Sequence, residues 1–132
     1  MEQGFVKVAS ATPRIRVADP VYNAQVICEQ AKEAAEHGAK IVVFPELCIT
    51  GYTCNDLFLQ ELLLEKAKEA LLTIAEETGQ LETLFLVGLP VDKDGRLYNV
   101  AAVLYRGRIL GMIPKKNIPM YAEFYEGRHF TP

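Results

Sequence analysis

The sequence of 132 residues contains no tryptophan, two histidines and three cysteines. Cys28, Cys48 and Cys54 are odd in number and form no C-x-x-C pair, so neither a disulfide framework nor a zinc site built on cysteine is predicted. The histidines, His37 and His129, complete no set of metal ligands with them. We therefore expect reduced, mostly structural thiols and no metal site.

Long apolar runs and clusters of positive charge are also missing. No segment approaches the roughly 18 to 20 apolar residues that a membrane span needs, and the first residues lack the basic and apolar regions of a secretory signal. The 14 Lys and Arg residues are scattered and are outnumbered by 17 Asp and Glu residues. The sequence therefore shows no basic stripe of the kind that binds nucleic acid. We expect a cytoplasmic protein without nucleic-acid or membrane partners.

The remaining composition is that of a chain able to bury one core, with 50% hydrophobic residues and a net charge of −3. A strand is predicted at 5–12. Asp19 and Pro20 then form a helix start signal, and His37-Gly38 closes this first amphipathic helix. A second strand follows at 39–46. This strand–helix–strand order predicts an α/β fold.

The second half of the sequence continues the pattern. A polar turn at 50–56 precedes a second amphipathic helix, which Gly79 is placed to end. Asp94-Gly95 is a turn signal typical of a tight hairpin. Three further strands are predicted, at 84–91, 97–106 and 108–115. We predict a single α/β layer system whose sheet needs cover on both faces.

Ionisable residues follow several of the predicted strands. Residues 41–44 (IVVF) predict a short, fully buried strand, and Glu46 projects from its carboxyl end, where open α/β sheets keep their ligands. Lys115, Lys116 and Glu123 follow the last strand. Carboxylate and ammonium groups held in one cleft shift each other's pKa, and the carboxylate can then serve as a general base. Taken alone, each charge is more often exposed or structural than catalytic.

Two segments resemble motifs of a known family. FPELCITGYTCNDLF (44–58) resembles the first catalytic motif of the carbon–nitrogen hydrolase (nitrilase) superfamily. KKNIPMYAEFYEGRHF (115–130) resembles the lysine motif of the branch that forms the glutaminase domain of glutamine-dependent NAD⁺ synthetases. The segment 98–115 is similar to the paired strands that lead to this lysine. The resemblance implies an α/β fold that is a partial αββα sandwich of the nitrilase type.

The resemblance also implies roles for individual residues. Glu46 corresponds to the general base, Lys115 to the group that stabilises the oxyanion, and Glu123 to a second glutamate. Tyr121 fills the place of a tyrosine that lines the glutamine pocket. The family motif Lys-x-x-Leu-Pro aligns with Lys115 rather than with Lys116, a choice that spacing alone leaves open.

Other parts of the family's machinery have no counterpart in this sequence. The nucleophilic cysteine of the family follows the lysine motif after a further strand, so neither Cys48 nor Cys54 corresponds to it. No phosphate-binding loop of the S-G-G-x-D-S type occurs either. We therefore expect residues 1–132 to be the N-terminal portion of a glutamine amidotransferase domain and to be inactive alone.

The same resemblance implies partners and cofactors for the parent protein. Glutamine would be the substrate, ATP and Mg²⁺ would serve the synthetase domain, and the uncovered sheet would favour a homo-oligomer or a larger domain. Two alternatives stay open, a stand-alone nitrilase-type amidase acting on another small amide and a non-catalytic assembly module.

Overall fold

The computed structural model describes residues 4–116 and 130–131, without the side chains of residues 55 and 56. The strands of its sheet are β1 (Val8–Ser10), β2 (Ile41–Val43), β3 (Leu84–Lys93), β4 (Arg96–Tyr105) and β5 (Arg108–Pro114). The helices are α1 (Pro20–Glu36) and α2 (Glu61–Glu77), and a 3₁₀ helix (Tyr52–Leu59) precedes α2. The five strands lie in chain order. β1, β2 and β3 are parallel, and β3, β4 and β5 are antiparallel.

The limits of α1 follow from local signals in the sequence. The Asp19 side chain accepts a hydrogen bond from the backbone N of Tyr22 at 3.2 Å, and Pro20 occupies the first turn, where its missing N–H costs nothing. At the other end, Gly38 adopts φ 85°, a conformation that glycine takes without steric cost. The predicted first helix is confirmed.

Both hairpins of the antiparallel half turn on two residues with positive φ. Asp94 and Gly95 have φ 54° and 74°, and Arg106 and Gly107 have φ 50° and 81°. Such turns match the right-handed twist of the flanking strands and fix their register. The three strands predicted after the second helix are confirmed.

The two faces of the sheet differ in their cover. Residues of both helices share one core with Val42, Phe85 and Ala102, which lie on the same face of the sheet. On the opposite face, Val43 is 46% exposed and Ile113 is 57% exposed. The prediction of a fully buried strand at 41–44 is therefore wrong, because within the described residues the helices cover only one face.

The polar turn expected at 50–56 is corrected, because its residues 52–56 belong to the 3₁₀ helix Tyr52–Leu59, whose Cys54 and Phe58 are buried. α2 ends at Glu77 with Thr78 as its C-cap, so Gly79 directly follows the helix end, although without a positive φ. The Thr78 hydroxyl donates to the Ile74 carbonyl at 2.7 Å. Among the described helices, none has both the length and the apolar character that crossing a membrane requires.

Candidate active site

The segment after β2 carries Glu46 across the middle of β3, at Gly88. Leu47, the next residue, is buried and has φ 53°, which turns the chain sharply. The backbone N of Ile49 then donates to the carbonyl of Gly88 on β3 at 3.1 Å. The glutamate is thus held on a bend whose neighbours are fixed to the sheet.

Gly88 is the point at which this bend touches β3. A Cβ atom added there would lie 2.4 Å from the backbone N of Leu47 and 2.8 Å from the carbonyl oxygen of Pro45. Neither backbone atom can move away as a flexible side chain could. Glycine at this position is therefore a packing requirement for the bend that presents Glu46.

Two donors from the last strands meet one oxygen of Glu46. Lys115 Nζ lies 2.5 Å from Glu46 Oε1, and Asn99 Nδ2 donates to the same atom at 2.6 Å. Asn99 lies on β4, and its carbonyl accepts a hydrogen bond from the backbone N of Lys115 at 2.8 Å. The structure therefore brings Glu46 and Lys115 together across 69 residues of sequence.

This group of three side chains borders a cleft of about 410 Å³, a volume suited to a small molecule. Most of its lining comes from apolar residues and backbone of β2, β3, β4 and β5. The side chains of Lys115 and Glu46 are 30% and 39% exposed, so the ion pair is partly shielded from water yet open to the cleft. In such a pair the carboxylate can accept and return a proton, and the ammonium can stabilise a negative charge that develops on a bound molecule.

The sequence also indicates Lys116, Glu123 and Tyr121 near this site, and the structure describes the first of them. Lys116 is exposed, and the described hydrogen bonds and ion pairs of Glu46 do not include its side chain. Glu123 and Tyr121 lie outside the described residues. Asn99 was missed by the sequence reasoning, although an asparagine inside an otherwise apolar strand is unusual and signals a buried polar contact.

A second cluster of buried side chains supports the bend. Leu47 packs in it with Leu97 of β4, and the Phe58 and Phe130 rings meet edge to face with centroids 5.0 Å apart. The backbone N of Thr131 donates to the Leu97 carbonyl at 2.7 Å. Residues 130 and 131 thus return to the sheet next to the bend.

The three cysteines are free and buried, as expected of structural thiols. Burial raises the pKa of Cys48 to about 12, and burial followed by the charge of Glu77 raises that of Cys28 to about 11. Burial likewise raises the pKa of Cys54. Because only the thiolate is a strong nucleophile, these thiols lack the character of an activated cysteine.

Cys48 is expected to resist alkylation although it lies two residues from Glu46. It is 1% exposed and its Sγ donates to the Gly88 carbonyl at 3.7 Å, so both access and ionisation are suppressed. Iodoacetamide at pH 8, followed by peptide mass spectrometry, should label Cys48 at least about a hundredfold more slowly than the same cysteine in urea. Rapid labelling in the folded protein would contradict the structural role.

No group of three or more His, Cys, Asp or Glu side chains in the described part of the chain could hold a metal ion. Glu46 and Lys115 offer an acid–base pair beside a cleft.

A mixed sheet with helices on one face and a contact between a glutamate and a lysine at a cleft agrees with a hydrolase domain of the nitrilase class. Residues 7–132 match the family model described as carbon-nitrogen hydrolase, and the chain belongs to this family.

Known relatives narrow this assignment. The chain is 40% identical over 131 residues to the glutamine-dependent NAD(+) synthetase of Mycobacterium bovis. The matched region covers 99% of this chain and 19% of that protein. The crystal structure of a glutamine-dependent NAD(+) synthetase from Cytophaga hutchinsonii matches with a TM-score of 0.90 and 31% identity, over 96% of this chain and 21% of that one. The chain thus spans about a fifth of these relatives.

A third match shows the fold alone. An amidase from Nesterenkonia sp. has a TM-score of 0.77 at 24% identity, over 96% of this chain and 48% of that one. Together the matches confirm the predicted family, the likeness to glutamine-dependent NAD⁺ synthetases and the α/β fold of the nitrilase type.

Proposed function

We propose that this chain is the N-terminal portion of a glutaminase domain that supplies ammonia for the ATP-dependent amidation of deamido-NAD⁺. The protein that contains the complete domain is called the full-length protein below. The contact between Lys115 Nζ and Glu46 Oε1 carries the proposal, because it supplies a base and a fixed cation at one cleft. The likeness to glutamine-dependent NAD⁺ synthetases supports glutamine as the substrate.

The reaction begins with a cysteine that this chain does not supply. An ordinary thiol has a pKa of about 8.5, so transfer of its proton to Glu46 raises the thiolate fraction at neutral pH. The thiolate attacks the side-chain amide carbon of glutamine and forms a C–S bond. Negative charge develops on the carbonyl oxygen, and the Lys115 ammonium stabilises it more than it stabilises the ground state.

The intermediate then collapses and the C–N bond breaks. Glu46 returns its proton to the leaving nitrogen, so that ammonia departs and a thioester remains. Glu46 next takes a proton from water as the water attacks the thioester. Release of glutamate regenerates the thiol. Glu123 and Tyr121 are assigned to this site as second glutamate and glutamine contact.

The same proposal sets the expected setting of the domain. ATP and Mg²⁺ serve a synthetase domain outside this chain, and the chain of 132 residues releases no ammonia from glutamine by itself. The full-length protein is proposed to be a cytoplasmic homo-oligomer without nucleic-acid or membrane partners. The exposed apolar side of the sheet, which includes Val43 and Ile113, supports cover by further protein.

Neighbouring lysines provide a direct test of this function. In the full-length protein, Lys115→Ala should lower the glutamine-dependent kcat about 10² to 10³-fold, equivalent to about 2.7–4 kcal/mol, as loss of one oxyanion donor does. The readout is glutamate formation at saturating glutamine. Lys116→Ala removes the same charge one residue on, from an exposed side chain, and should stay within about twofold of the unaltered protein. A larger loss in Lys116→Ala than in Lys115→Ala would show that the assignment is wrong by one residue.

A further inference from the structure

We infer that Asn99 is the positioning residue for the carboxylate of Glu46: its amide holds this carboxylate in place and turns one of its oxygens towards the cleft. The inference rests on the proposed function, since it concerns the base of that reaction. No role in the reaction was assigned to Asn99 from the sequence.

The register of the sheet fixes where Asn99 points. Its neighbours along β4, Val100 and Ala102, are buried in the core shared with the helices. Successive side chains of a strand point to opposite faces, so Asn99 and Ala101 point to the side that carries the cleft, and both line it. Asn99 is only 3% exposed, so its amide is a fixed group rather than a mobile surface side chain.

The hydrogen bond defines which end of the amide faces the glutamate. Oε1 of an ionised carboxylate only accepts, so the partner at 2.6 Å must be the NH₂ group of Asn99. A hydrogen bond donated to a carboxylate favours its ionised form, as does the Lys115 ammonium on the same oxygen. The two donors occupy Oε1, and Oε2 has no partner among the described residues. The proposal assigns the thiol proton to Oε2, the oxygen that neither of these two donors occupies.

Asn99 also links the two charged groups. Its side chain holds Glu46, while its carbonyl accepts the backbone N–H of Lys115 at 2.8 Å. One rigid residue in the middle of the sheet thus sets the position of both. Among the described residues lining the cleft, Glu46 and Lys115 are the ionisable ones. The proposal adds three further ionisable groups by resemblance, which are Glu123, Tyr121 and the cysteine nucleophile.

The pH dependence of the full-length protein tests the inference. The acid limb of kcat/KM for glutamine reports the pKa of the base in the free enzyme. Asn99→Leu removes the donor and keeps the branched shape and the number of heavy atoms, and Asn99→Ala removes it in case the bulkier leucine prevents folding. The acid limb should move upward by about one to two pH units in either variant, the effect of losing one hydrogen bond to a charged group.

Asn23 provides the matched control because it is the other buried asparagine among the described residues and is 0% exposed. Its amide donates to the backbone carbonyls of Arg16 and Ile49 at 2.7 and 2.8 Å rather than to a charged side chain. Asn23→Ala should lower the melting temperature without moving the acid limb. A merely structural role for Asn99 predicts the same result for Asn99→Ala.

The outcomes separate this inference from the function on which it rests. An acid limb that moves in the Asn99 variants and stays in Asn23→Ala supports it. An unmoved limb in the Asn99 variants, or an equal shift in Asn23→Ala, overturns it. Neither of these results touches the proposed glutaminase function, which fails instead if Glu46→Gln still uses glutamine.

Discussion

Glutamine-driven NAD⁺ synthesis is expected to be lost when Glu46 is replaced by glutamine in the full-length protein, while synthesis from free ammonia continues. The amide keeps the size of the carboxylate and can still accept from Asn99, but it cannot take a proton from a thiol. Loss of a general base costs about 10² to 10⁴-fold, and here the same group serves both half-reactions. The measurement compares NAD⁺ formation at saturating glutamine with formation at saturating ammonium chloride.

Glu76→Gln is the control for this experiment, because Glu76 is an exposed glutamate on α2. It should leave both rates within about twofold of the unaltered protein. Loss of ammonia-driven synthesis in Glu46→Gln would instead indicate general misfolding, which circular dichroism would detect. Retained glutamine use with intact folding would refute the proposed base.

Of the substitutions proposed for this protein, Gly88→Ala should lower the free energy of unfolding most. The added methyl group would meet backbone atoms of Leu47 and Pro45 at 2.4 and 2.8 Å, so either β3 or the bend that carries Glu46 must shift. We expect the free energy of unfolding to fall by at least about 3 kcal/mol, the upper range for overpacking. The measurement is the urea midpoint for unfolding of the domain that contains Gly88, which should be lower than in the unaltered protein. Glutamine use should fall with it, because the bend moves.

Gly111→Ala is the matched comparison for that substitution. Gly111 also lies in a strand and has no positive φ, but nothing lies within 4 Å of the Cβ that it would gain. Its free energy of unfolding should change by no more than about 1 kcal/mol. Equal effects of the two substitutions would mean that the contact between Gly88 and the bend does not hold in solution.

The elements that the sequence predicts well are those set by neighbouring residues. Asp19 and Pro20 specify the start of α1 by capping and by a fixed φ, and Asp94-Gly95 specifies a hairpin by positive φ at both positions. These signals act over a few residues and need no knowledge of the rest of the fold. The order of elements, and with it the α/β class, follows from them.

Features that depend on distant partners could not be predicted in the same way. The sequence marks Gly88 as a glycine inside a strand, but the backbone that approaches it comes from Pro45 and Leu47. Likewise, Val43 is apolar and β-branched in sequence, whereas its exposure depends on which face the helices cover.

The candidate site depends partly on local sequence signals and partly on distant partners. Strand ends indicate where Glu46 and Lys115 could meet, yet their pairing came from the resemblance to a family. The structure adds the physical basis. Pro114 of β5 pairs with Val100 of β4, so the next residue, Lys115, lies opposite Asn99 and on the same side of the sheet. Strand parity of this kind distinguishes Lys115 from Lys116, but it can be applied only after the register is known.

The two tight hairpins have a consequence for the order of folding. β3, β4 and β5 pair through contacts between residues close in sequence, whereas β1, β2 and β3 pair only after crossovers that contain α1 and α2. Closing a long loop costs more entropy than closing a turn of two residues, so the antiparallel meander can nucleate first. Asn99 and Lys115 would then stand in place as a template, and the bend with Glu46 would dock on it when β2 joins the sheet.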